Sequence, residues 1–185
     1  MIIIFGWRDI LDDFPRSDIS YFLFITVSSA VRRPHPPSAS VVRIRTLQSP
    51  DLHVVERIAP DVLILEIGTN DLVDTSPEVV GSEIENLVRL LLGHYKVRIV
   101  CVCRVIPRGH SYDHAASFAR CVEILQHYLD IVLSVIPNVF CWVHRAFSHP
   151  GKKFYLPDGV HVNPAGHYHL YRSYRGAIFR ALRLL

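Results

Sequence analysis

The sequence predicts an α/β three-layer sandwich (α/β/α) built on a parallel sheet. Short stretches that are mostly apolar and without alternation, such as Val62–Ile67 and Val97–Ile106, alternate along the chain with segments whose apolar residues recur every three or four positions. Strands of a parallel sheet are covered on both faces by crossover helices, so they lose the in–out alternation of a half-exposed strand. A length of 185 residues with half of them hydrophobic suits one domain with one substantial core, taken here as residues 1–185.

The elements follow in order. Residues 21–27, YFLFITV, are aromatic and β-branched and read as a buried strand that runs into Ser28-Ser29. Arg32–Ser38 holds three prolines within four positions, which excludes a regular helix and makes it a loop. Val41–Leu47 is read as a short strand and Pro50–Ile58 as a short helix that stops before Pro60. From residue 61 the pattern sharpens. The strand 62–67 precedes a helix capped by Ser76 and begun by Pro77, with Val80, Ile84, Leu87, Val88 and Leu91 as its apolar stripe and Gly93 as its stop. After the strand 97–106, a helix over about 113–134 would bury Phe118, Cys121, Val122, Leu125, Leu129 and Val132. Val139–Val143 is the last strand. The loop 144–163 leads to a helix that Asn163 caps and Pro164 begins, with Leu170, Tyr174, Ala177, Ile178, Ala181 and Leu185 facing inward.

Composition narrows the partners. The formal charge is only +3 with histidines neutral and no block of like charges occurs, so nothing points to nucleic acid. Arg172, Arg175, Arg180 and Arg183 share one broad face of the last helix and read as a solvated face. Cys101, Cys103, Cys121 and Cys141 lie in apolar stretches without the spacing of metal or redox pairs and read as buried free thiols. His144, His149, His167 and His169 read as surface histidines, and no metal or organic cofactor is called for. The start carries too short an apolar run for a signal peptide, and no run reaches the roughly 20 residues of a membrane span. A cytoplasmic protein acting on a small molecule is the expectation.

In open parallel sheets ligands bind beyond the carboxyl ends of the strands. Three polar clusters fall there: Ser28-Ser29, Gly68-Thr69-Asn70-Asp71 and the 144–163 loop. In the last, Leu156-Pro157-Asp158-Gly159-Val160-His161 sets a carboxylate three residues before an imidazole, a spacing that lets Asp158 fix the His161 tautomer. With IGTND after a strand and DGVHVN before the last helix, the sequence resembles the SGNH (GDSL-type) hydrolases, serine esterases and acyl hydrolases on a flavodoxin-like sheet. The resemblance covers residues 61–185 well and 1–60 poorly. It implies His161 as general base, Asp158 as its orienting acid, the Asn70 amide as oxyanion donor, and Gly68 as the residue whose missing side chain permits the close backbone approach that places Asn70. The substrate class it implies is a small-molecule ester, with the 107–113 and 144–157 loops setting specificity.

The nucleophile departs from the family pattern. No Gly-Asp-Ser occurs; the counterpart by position is Ser29, with Val27 and Ser28 where glycine and aspartate are expected. No glycine lies between Trp7 and Ile67, so the family's glycine backbone donor to the oxyanion has no match, and Ala30–Ser40 is short for a crossover helix. Two readings follow: an active serine esterase using Ser29, or a catalytically inactive relative serving as a binding module. Such domains also occur in proteins encoded by retrotransposons, from which this chain would then derive.

Overall fold

The computed structural model describes residues 22–26, 44, 49–148 and 154–185. Among these, four strands lie side by side in chain order and all run parallel: β1 Phe22–Thr26, β2 Val62–Glu66, β3 Ile99–Cys103 and β4 Val139–Trp142. Thr26 pairs with Glu66 and Cys103 with Trp142, so the carboxyl ends of neighbouring strands meet at one edge. Four helices accompany them: α1 Ser49–Ile58, α2 Pro77–Gly93, α3 Ala115–Ser134 and α4 Pro164–Leu182.

The uninterrupted apolar runs divide between two faces, as the strand period of two requires. Leu63, Leu65, Val100 and Val102 pack with residues of α1, α2 and α3, whereas Val62, Ile64, Ile99, Cys101 and Cys103 pack with Ala177, Ile178 and Ala181 of α4. The layers expected from the sequence are therefore present. Both helix starts take the form read from their residues: Ser76 Oγ accepts from Val79 N, and Asn163 Oδ1 accepts from Gly166 N at 2.9 Å, each with proline in the first turn.

Several details differ. The 41–47 segment lies outside the described residues except at Ile44, which is buried and in 3-10 conformation rather than extended. In α3, Leu133 enters the core, while Cys121 and Val132 only flank it, because Leu133 stands one full turn beyond Leu129. Leu185 is 37% exposed, since α4 ends at Leu182 and the inward periodicity ends with it. No described helix is long and apolar enough to cross a membrane.

Gly81 shows how closely α2 and α3 approach. A Cβ placed there would lie 2.4 Å from Cδ1 of Tyr128. Alanine favours a helix over glycine by about 1 kcal/mol, but overpacking typically costs about 1–3 kcal/mol. Gly81→Ala is therefore expected to lower stability in urea unfolding, and the same substitution in a Tyr128→Ala background is expected to raise it.

Candidate active site

β2 delivers the first polar segment. After Ile67 the chain turns at Gly68, whose φ of +99° belongs to a region that side chains avoid. A Cβ at Gly68 would meet Val105, Val80 and Ile84 only at ordinary contact distances of 3.5–3.6 Å, so the need for glycine comes from backbone conformation, not from the close approach expected from the sequence. Leu72 N donates to Gly68 O at 3.1 Å, closing the turn that leads into a short 3-10 helix, Asp71–Val73. Asn70 stands at its start and is 6% exposed. Asp71 is fully buried, and its Oδ1 accepts from Ile44 N at 3.1 Å, which ties this turn to the preceding crossover.

The second segment is a hairpin-like loop ahead of α4. Leu156 N donates to His161 O, Asn163 N donates to Phe154 O, and Tyr155 and Val162 form an antiparallel bridge. Gly159 makes the reversal possible with φ +65°; a Cβ there would lie 2.6 Å from Tyr112 N. Within this loop Asp158 gathers three donors. Its Oδ1 accepts from the main-chain nitrogens of Val160 (2.8 Å) and His161 (2.9 Å), and its Oδ2 lies 2.5 Å from His161 Nδ1. The His161 ring bond foremost, then these backbone bonds, hold the Asp158 carboxyl down at about 2. An ionised Asp158 on Nδ1 favours the tautomer that carries the basic lone pair on Nε2.

The two segments are joined by the connection after β3. Gly109 N donates to Gly159 O at 2.7 Å, Tyr155 O–H donates to Pro107 O, and Arg108 Nη2 reaches Thr69 O at 3.4 Å. Asp158 and His161 are thus in direct contact, and Gly68 and Asn70 share their edge of the sheet. Ser29 lies outside the described residues, as does His149.

His144 corrects the sequence reading. It is 3% exposed, not a surface residue, because Glu66 at the end of β2 supplies a counter-charge: His144 Nε2 lies 3.1 Å from Glu66 Oε2, and Nδ1 lies 2.9 Å from Ser173 Oγ. Tyr174 O–H donates to the same Glu66 oxygen at 2.6 Å, and Trp142 Nε1 donates to Ser173 Oγ at 2.9 Å. Burial would raise the Glu66 pKa, yet the His144 charge and the bonds from His144 and Tyr174 lower it; burial opposes charge on His144, yet Glu66 raises its pKa to about 10. Glu66, Cys103 and His144 place possible metal-ligand atoms within 4.8 Å of one another, though Glu66 and His144 already serve as each other's partners. The signal for this network was a carboxylate inside an otherwise apolar strand, which demands a partner. Among the other histidines read as superficial, His167 is exposed and His169 half-buried. Cys101 and Cys103 are buried, Cys121 and Cys141 half-buried, and all four are free thiols.

The pattern of the GDSL-like lipase/acylhydrolase family matches residues 3–169, reaching well into the first sixty residues. No curated protein matches the chain in sequence. Solved structures share the fold at low identity. A Streptococcus pneumonia protein provisionally assigned as a platelet activating factor aligns with TM-score 0.59 and 20% identity over 74% of this chain and 68% of its own. The Clostridium thermocellum family 3 carbohydrate esterase gives 0.57 and 17% over 76% and 68%. A protein of Parabacteroides merdae ATCC 43184 provisionally described as a GDSL-like lipase gives 0.56 and 14% over 78% and 70%.

With its pKa lowered from 3.8 to about 2, Asp158 contributes stability that is present in full above pH 3.8 and is lost as pH falls through about 2. A carboxyl-carbon NMR titration is expected to place its midpoint nearer 2 than 3.8, and His161→Ala is expected to move that midpoint upward.

Proposed function

Because this chain belongs to the GDSL-like lipase/acylhydrolase family, we propose that it hydrolyses carboxylic esters through Ser29, His161 and Asp158. The observation that carries this reading is the 2.5 Å contact of Asp158 Oδ2 with His161 Nδ1 at the carboxyl edge of the sheet. Ser29 Oγ attacks the carbonyl carbon while His161 Nε2 takes its proton, and Asp158 stabilises the resulting imidazolium. The Asn70 amide donates to the oxyanion. His161 then returns the proton to the leaving alkoxide, and water repeats the sequence on the acyl-enzyme.

Strand register supports the role given to Ser29. Thr26 pairs with Glu66, so β1 leaves the sheet at the edge where Asn70 follows β2. Ser29 follows Thr26 by three residues in sequence, a chain reach of at most about 11 Å. A second reading rests on one feature of the sequence: Val27 and Ser28 stand where the family has glycine and aspartate, which favours an inactive relative that binds without turnover.

Labelling with a fluorophosphonate probe, with the site located by mass spectrometry, separates the two. Modification at Ser29 that disappears in His161→Ala is expected; folded protein that takes no label would leave the binding module. Asn70→Ala is expected to lower kcat on an activated ester by about 10²–10³ through loss of one oxyanion donor.

A further inference from the structure

The connection between β3 and α3 carries two arginines in opposite circumstances. Arg104 has an ordinary ion pair: its Nη2 lies 2.5 Å from Asp130 Oδ2, and its Nη1 donates to Gln126 Oε1. Arg108 is half-buried and has no carboxylate within ion-pair reach among the described residues. Its Nη2 donates to the Thr69 carbonyl at 3.4 Å, and its Nε has no acceptor among the described residues. Burial lowers its pKa, but a guanidinium stays charged at neutral pH.

A cation withdrawn from water without a counter-ion is unfavourable, and protein cations in that state are usually paired. Part of the cost is offset by two rings: the Arg108 guanidinium carbon sits 4.2 Å from the centre of Tyr112 and 4.3 Å from that of Phe118. The two rings stand nearly perpendicular to each other, at 78°, and flank the guanidinium on two sides, leaving its remaining N–H groups as the directions in which a ligand is recognised. The position is equally specific. Arg108 touches the residue before Asn70, and its neighbour Gly109 holds the carbonyl of the residue after Asp158. It therefore stands between the turn that carries the oxyanion donor and the loop that carries the base.

We propose that Arg108 is the anion-recognising residue of the ester site, and that the ester accepted carries a carboxylate or phosphate on its acyl or alcohol side. This rests on the hydrolase reading above. A planar guanidinium suits either group, since both offer two oxygens to its paired N–H bonds.

Two ester pairs test it: mono-4-nitrophenyl adipate against 4-nitrophenyl hexanoate for the acyl side, and 4-acetoxybenzoate against 4-acetoxytoluene for the alcohol side. In parallel, the Arg108 Nε–Hε resonance is followed by NMR with succinate and with inorganic phosphate. The kcat/KM ratio of anionic to neutral ester is expected to fall about 10- to 100-fold in Arg108→Gln for one pair, the range of a charge-assisted contact. Succinate or phosphate is expected to shift the resonance. Ratios unchanged by Arg108→Gln in both pairs, with neutral esters hydrolysed, would overturn the anion subsite and leave the hydrolase standing. A shifted resonance without turnover of any ester would retain the anion subsite and sink the hydrolase. Silence in both measurements, on protein shown to be folded by its NMR spectrum, would overturn both.

Discussion

Glu66 is the point at which the buried sheet becomes a polar edge. A carboxylate at the end of a strand covered on both faces needs compensation, and it receives this from His144 after β4 and from Tyr174 on α4. Removing one partner of a buried pair leaves an uncompensated charge, at a cost of about 3–5 kcal/mol. The pairing therefore fastens α4 to the carboxyl end of the sheet. Tyr174 lies about 15 Å along the helix from its first residue, so a fixed α4 axis also fixes where Asn163 and the loop before it are presented.

That loop then needs little else. Asn163 Oδ1 caps α4 while its Nδ2 donates to Tyr155 O, so one side chain ties the helix start to the returning strand of the hairpin. Asp158 closes the other end by accepting from Val160 N and His161 N as well as from the ring. His161 and Asp158 are thus oriented by contacts close to them in sequence.

Locality also decides what was legible in the sequence. Caps at Ser76 and Asn163, the stripes of α2 and α4, and the Asp158–His161 pairing depend on residues three or four apart, and each could be read directly. His144 could not, because the residue that makes its burial tolerable stands 78 positions earlier, in β2. Arg108 was hidden for a related reason: an arginine in a loop looks solvated until the Tyr112 and Phe118 rings around it are seen. The same limit applies to Asp71, one of the polar residues beyond the end of β2, whose carboxylate holds the main chain of Ile44. Within four residues the turn after β2 divides its work. Gly68 supplies the conformation, Thr69 a carbonyl for Arg108, Asn70 the proposed donor and Asp71 the anchor.

The proposed chemistry draws on three connections at one edge of the sheet, and two of them are coupled through Arg108 and Gly109. Departures from the family pattern concentrate in the third, after β1, where register with β2 already provides proximity. What the family's glycine supplies there is backbone freedom, and the β-branched Val27 that stands in its place has less of it. The proposed catalysis therefore rests on the segment after β1, since the Asp158–His161 contact is built by a hairpin and a helix cap far along the sequence.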